Sequence, residues 1–399
     1  MNDSRKRGTE VADPTLEQIQ SFRISVPQAD LDDLKNRLER TRWPDELPGV
    51  GWDYGVPLNY VKELVNYWSK NYDWRKHEAR LNEFPQFNTT IDGENIHFLH
   101  VRSPEPNALP LLMIHGWPGS IVEFLNIIGP LTNPRFYGGN PEDAFHLVVP
   151  SIPGYGFSGP TRQPGLNIQR IAQMFIVLME RLGYQRYGVQ GGDWGSFISQ
   201  QIGLLNPDHI IGIHLNMLTT FPPEDFKEVE SLTKEEKERL EKLRHYDLEL
   251  SGYMKIQATR PQTLAYALTD SPVGQLAWIV EKFKEWTDST NLPEEAIDRD
   301  DILTNVMHYW LTGTAGSSAR LYYETLFKYD PSVENKEIST VPTGVAVFQK
   351  DTMLPIRRFA ERDHKIIHWS EFKRGGHFAA LEQPVLLMND IKKFFGSFK

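Results

Sequence analysis

Four extended apolar runs constrain this chain more than any other feature: "PLLMIHG" from Pro110, "FHLVVPS" from Phe145, "YGVQGG" from Tyr187 and "IIGIHLNM" from Ile210. Each is bounded by Gly, Pro or other turn formers, and amphipathic helical stretches separate them. The runs are continuous rather than alternating, so both faces of each strand must be covered. That pattern belongs to a mostly parallel sheet with helices on both faces.

The rest of the chain is organised around these runs. Residues 1–85 read as an N-terminal helical segment, with Leu31, Leu34 and Leu38 at helical spacing and Val61, Leu64, Val65 and Trp68 repeating the pattern. Residues 86–217, beginning with "FNTTIDGENIHFLHV", hold the first part of an α/β core. Strand signals stop after Met217, and residues 218–338 read as a helical lid. The charge run "TKEEKERLEKLR" in it alternates in sign, which predicts a solvated helix face. Residues 339–399 resume the core with "PTGVAVFQ" and "KIIHWSEF" and end on the amphipathic "PVLLMNDIKKFFGSF".

Composition excludes several partners. The 399 residues are 40% hydrophobic and carry 43 basic against 53 acidic residues, a net charge of −10, which disfavours nucleic acid and anionic membrane. No cysteine is present, so neither a disulfide framework nor a thiolate metal site can form. The N-terminal stretch lacks an apolar core segment and no run approaches the roughly 20 apolar residues of a membrane span. The expectation is a cytoplasmic protein with no membrane anchor, no signal peptide, no metal and no cofactor. Homodimerisation is left open.

The third run leads into Gly191-Gly192-Asp193-Trp194-Gly195. A strand, small residues around one polar side chain, and then a helix make the sharp turn that lifts a nucleophile above the carboxyl edge of a sheet. Here the central residue is an aspartate where esterases carry serine. Three other stretches fit around it. His115-Gly116-Trp117-Pro118 ends the first run in a turn that can present the Trp117 backbone N–H as half of an oxyanion hole, with the Trp194 N–H as the other half. Asp351 lies just beyond "GVAVF", and His377 lies between the last strand and the last helix. The order nucleophile, acid, histidine is that of α/β-hydrolases.

Chemistry narrows the substrate. A serine attacking an sp³ carbon would leave an ether that the site could not cleave, whereas a carboxylate leaves an ester open to activated water. Asp193 therefore implies an epoxide or an alkyl halide. A halide leaves unaided, but an epoxide oxygen develops alkoxide charge and benefits from a positioned acid, for which tyrosine, with a pKa of about 10, is suited. The lid offers Tyr253 in "SGYM", and Tyr322 and Tyr323 in "SSARLYYE".

Across nearly its whole length, in "HGWPGS", "PSIPGYGFS", "QGGDWGS", "SGYMKIQATRPQT", "SSARLYYE", "VPTGVAVF" and "RGGHFAALEQP", the chain resembles the microsomal-type epoxide hydrolases. The resemblance implies an α/β-hydrolase fold with a helical lid and an N-terminal meander, an apolar epoxide and water as substrates, and no cofactor. It places the phenols at Tyr253 and Tyr322 rather than Tyr323. Two departures stand out: the apolar N-terminal anchor of membrane-bound members is missing, and the acid position, often glutamate there, is Asp351, with Asp363 and Glu371 nearby. Two other functions are open to such a chain, a haloalkane or haloacid dehalogenase using the same aspartate, and a non-catalytic ligand receptor, for which the intact Asp193, Asp351 and His377 are a poor match.

Overall fold

The computed structural model describes residues 18–222, 226–327 and 338–399. The readings made of residues 1–17, and of residues 223–225 and 328–337 within the lid, lie outside the described residues. Nine strands form one sheet: β1 (Gln20–Phe22), β2 (Gln86–Ile91), β3 (Glu94–Val101), β4 (Leu109–Ile114), β5 (Phe145–Pro150), β6 (Tyr187–Gly191), β7 (Ile210–Leu215), β8 (Ser339–Phe348) and β9 (His364–Phe372), in the order β1-β2-β3-β5-β4-β6-β7-β8-β9. The pairs from β1 to β5 are antiparallel and those from β5 through β9 are parallel.

The central strands are apolar on both faces because both are covered. Leu111, Leu112, Met113 and Ile114 of β4 have no exposed surface. Helices Ile168–Arg181 and Trp194–Leu205 pack together beside them, and Pro384–Gly396 packs against β7, β8 and β9. Full burial of such side chains contributes about 1.5–3 kcal/mol each.

Two expectations need correction. The N-terminal segment is not wholly helical: besides helices Gln28–Glu39, Leu58–Lys70 and Trp74–Leu81 it supplies β1, which pairs with β2. A three-residue strand is too short to carry an alternating pattern, and only its partner makes it a strand. The charge run forms helix Lys234–His245, closed at its start by a Thr233–Glu236 capping box. Its face is not wholly solvated, because Arg239 is buried and donates to Pro355 O at 2.7 Å and to Glu371 Oε2 at 2.8 Å.

The described helices between β7 and β8 cover the carboxyl ends of the strands. Among them Arg299–Thr312 is held from outside by the N-terminal segment: Tyr67 Oη donates to Asp300 Oδ1 at 2.8 Å, Arg80 Nη1 to Asp301 Oδ1 at 2.5 Å, and Tyr72 Oη, in the loop between two helices, lies 3.0 Å from Thr304 Oγ1. No described helix is long and apolar enough to cross a membrane.

Candidate active site

Asp193 caps helix Trp194–Leu205 with φ 51° and ψ −127°. For a residue with a side chain this backbone costs about 1–3 kcal/mol and persists only where the surroundings enforce it. They do so by close approach: a Cβ on Gly195 would lie 2.0 Å from Ile114 O, so only glycine lets the helix start directly against β4. The turn raises the carboxylate above the sheet edge, where the helix N-terminus favours its charge.

Around that carboxylate the fold gathers the residues singled out in sequence. The Trp117 N–H donates to Asp193 Oδ1 at 2.7 Å. His377 Nε2 stands 3.4 Å from Asp193 Oδ2, and its Nδ1 is 2.9 Å from Asp351 Oδ1. Asp351 Oδ1 also accepts the Thr352 N–H at 2.7 Å, which keeps this buried carboxylate partnered. Of the other two carboxylates near in sequence, Glu371 Oε2 accepts from Arg239, and Asp363 ends helix Arg357–Asp363. Burial opposes charge on the His377 imidazole, but Asp351 and Asp193 outweigh it and hold its pKa well above the ordinary value. Trp194, whose N–H was expected to complete the oxyanion hole, is the first residue of the helix that Asp193 caps.

The phenols converge on the same place. Tyr253 stacks on Trp117 with ring centroids 5.0 Å apart, and Tyr322 stands edge-on to Trp117 at 5.9 Å and to Trp194 at 4.8 Å. Tyr322 Oη is buried and makes no hydrogen bond among the described residues. Tyr323 turns away, half-buried and stacked on Phe327 at 5.2 Å. Burial, with Asp193 adding to it, pushes the Tyr253 and Tyr322 hydroxyls well above the usual phenol pKa, so both stay protonated.

Several neighbours were not legible in the sequence. Tyr246 Oη lies 2.8 Å from Tyr253 Oη. The Trp286 carbonyl accepts the His377 N–H at 2.8 Å, and its ring meets the imidazole edge-on at 4.9 Å. The loop carrying Trp117 is held by the lid: Asn305 Nδ2 donates to Pro118 O at 2.6 Å, Tyr309 Oη to Gly119 O at 2.6 Å, and Ser120 Oγ to Asn305 Oδ1 at 2.7 Å. Glu382 Oε2 accepts from the N–H groups of Asp288 and Gly376 at 2.8 and 3.0 Å, and Oε1 from that of Phe378 at 3.1 Å, which pins the backbone on both sides of His377. These residues sit on helices or in loops whose local pattern signals packing alone.

The arrangement is a carboxylate with one oxygen on a backbone N–H and the other facing an imidazole. Comparison with known proteins gives one consistent family. The family model described as the epoxide hydrolase N terminus matches residues 19–124, and that of the alpha/beta hydrolase fold matches residues 110–243. Epoxide hydrolase 1 of Sus scrofa is 40% identical over 409 residues, covering 95% of this chain and 89% of its own. The crystal structure of juvenile hormone epoxide hydrolase from the silkworm Bombyx mori superposes with a TM-score of 0.88 at 33% identity, covering 96% of this chain and 95% of that one. The structure of Aspergillus niger epoxide hydrolase gives 0.85 at 34% identity, covering 97% and 98%.

Proposed function

This chain belongs to the epoxide hydrolase family and is an epoxide hydrolase, and from that premise we propose that it opens apolar epoxides to vicinal diols in two steps on Asp193. In the first, Tyr253 and Tyr322 donate to the epoxide oxygen while Asp193 Oδ2 attacks a ring carbon from the opposite side. The ring C–O bond breaks, the departing oxygen takes a phenolic proton, and a hydroxyalkyl ester remains. In the second, His377 takes a proton from water, which attacks the ester carbonyl carbon of Asp193. The charge that develops on Oδ1 is held by the backbone N–H groups of Trp117 and Trp194. The tetrahedral intermediate then collapses, and the diol leaves with the proton that His377 had taken.

Ester formation itself switches His377 into a base. In the resting enzyme the imidazole lies between two carboxylates and holds a proton. Once Asp193 is esterified its charge is gone, the imidazole pKa falls, and the proton it sheds restores the phenol. The second step therefore speeds up as pH rises through the lowered pKa of His377 and slows as pH falls below it.

The observation that carries this reading is one carboxylate held at 2.7 Å by the Trp117 N–H and facing His377 at 3.4 Å. Trp117, Trp286, Tyr253 and Tyr322 supply an aromatic surround suited to an apolar substrate. A halide would need no phenol, so the phenol pair argues against dehalogenation.

The atom balance supplies the test. With enzyme in excess over epoxide in ¹⁸O water, the first turnover should release unlabelled diol and leave the label in the peptide bearing Asp193. His377→Gln should stop at the ester, adding one substrate mass to the intact protein. Label in the first-turnover diol would mean direct attack by water and would overturn the two-step reading.

A further inference from the structure

A carboxyl group that the steps above do not use faces the same chemistry. Glu123 lies in the short turn Ile121–Phe124, immediately after the loop that carries Trp117. A Cβ on Gly119 would stand 1.5 Å from Glu123 Oε1, so the glycine leaves the space that the carboxyl group occupies. With Asp193, His377, Gly116 and Asn216, Glu123 lines a cavity of about 10 Å³, and neither Tyr253 nor Tyr322 lines it. That volume is about what one water needs, and a buried water needs two to four polar partners. Asp193, His377 and Glu123 provide them. The cavity is therefore on the hydrolytic side of Asp193, apart from the phenols that serve the epoxide.

We propose that Glu123 is a positioning residue for the attacking water, accepting one of its hydrogens while His377 takes the other. The inference rests on the two-step ester chemistry above. Water then approaches the ester carbonyl carbon with its lone pair directed by two fixed groups: the new C–O bond forms, one proton passes to His377 Nε2, and the other stays on the intermediate, hydrogen-bonded to Glu123.

The charge state suits the task. Burial pushes the Glu123 pKa up to about 8, against the opposing effect of His377 and with Asp193 adding to it. Tyr309, whose hydroxyl Glu123 also influences, and His115, kept neutral by burial, complete the titratable surroundings. At neutral pH Glu123 is a carboxylic acid that orients water without adding a third negative charge near His377. Ionised, it would hold a proton on His377 and take away the base.

Stopped-flow separation of the two steps tests this, with single-turnover ester formation as the control for the underlying chemistry. Glu123→Leu should leave alkylation within a few-fold of wild type and slow hydrolysis by about 10²-fold, the scale expected when a reacting group loses its orientation. Glu123→Gln keeps a neutral group with one acceptor and should retain most of the hydrolysis rate. The wild-type hydrolysis rate should fall above pH 8, and Glu123→Gln should abolish that fall. Equal loss in both steps, wild-type hydrolysis in Glu123→Leu, or an alkaline fall that survives in Glu123→Gln would each overturn the proposal. Failure of ester formation in the wild type would instead overturn the two-step chemistry. If Glu123→Leu does not fold, the pH profile of Glu123→Gln decides alone.

Discussion

Tyr253 and Tyr322 differ in what already holds them, and that difference shapes what each does. The Tyr253 hydroxyl is 2.8 Å from that of Tyr246, so it can accept from Tyr246 and direct its own proton toward the epoxide. The buried Tyr322 hydroxyl has no comparable hydrogen-bond partner among the described residues. Replacing either by Phe keeps the ring contact with Trp117, stacked for Tyr253 and edge-on for Tyr322, and removes one donor. Tyr253→Phe and Tyr322→Phe are each expected to slow alkylation, and the double variant to lose the full contribution of a positioned acid, about 10² to 10⁴ in rate. Hydrolysis of the ester once formed should be unchanged. Stopped-flow fluorescence is a suitable readout given the nearby tryptophans. Should Tyr323→Phe be the slow variant, the assignment of the second phenol is off by one residue. The sequence alone offered both tyrosines; side-chain direction separates them, since Tyr322 ends helix Ala315–Tyr322 facing Trp194 and Tyr323 stacks on Phe327.

Helix Arg299–Thr312 is the element that holds the turn carrying Trp117, the proposed oxyanion turn. Asn305 bridges two groups of that turn, donating to Pro118 O and accepting from Ser120 Oγ. Asn305→Leu keeps the volume but leaves both groups buried without these partners. Each such loss costs about 1–3 kcal/mol. The expected outcome is a lower denaturation midpoint together with slower hydrolysis, because the Trp117 N–H is no longer held over the developing charge. A variant with lowered stability but unchanged hydrolysis would show that the turn holds its shape without the helix. Nothing in the helix sequence marks Asn305 for this role, because its significance lies in a contact 187 residues away. The elbow was legible for the opposite reason: strand, glycines, Asp193 and helix are contiguous.

At the scale of the whole molecule, a chain of contacts runs from the N-terminal helices through the lid to the core. The N-terminal helices hold Arg299–Thr312, which holds the oxyanion turn, and Glu382 ties the lid residue Asp288 to the backbone around His377. Glutamine at 382 has a single acceptor oxygen where the glutamate has two, and its amide would face an N–H. Glu382→Gln is therefore expected to cost about 1–3 kcal/mol in urea denaturation. It should also slow hydrolysis more than alkylation, since in the proposed mechanism His377 acts as the base of the second step. Equal effects on the two steps would mean that Glu382 supports the fold without orienting the histidine.

The sequence by itself determined the sheet, because strands covered on both faces must be apolar throughout, and it determined the place of Asp193, because a strand-to-helix turn is local. It also narrowed the chemistry proposed, since an aspartate at the elbow is able to form an ester that water can cleave. Only the tertiary structure decided the rest. It set Asp351 rather than Asp363 or Glu371 against His377, turned a three-residue segment into β1, and brought Tyr246 to Tyr253. It also placed Glu123 beside Asp193 and His377, where one acid among 53 acidic residues carries no local mark of its position. The physical reason is the range of the interactions. Hydrophobic periodicity and turn geometry act between residues near in the chain, whereas hydrogen bonds, burial and charge coupling act between side chains that only the folded backbone brings together.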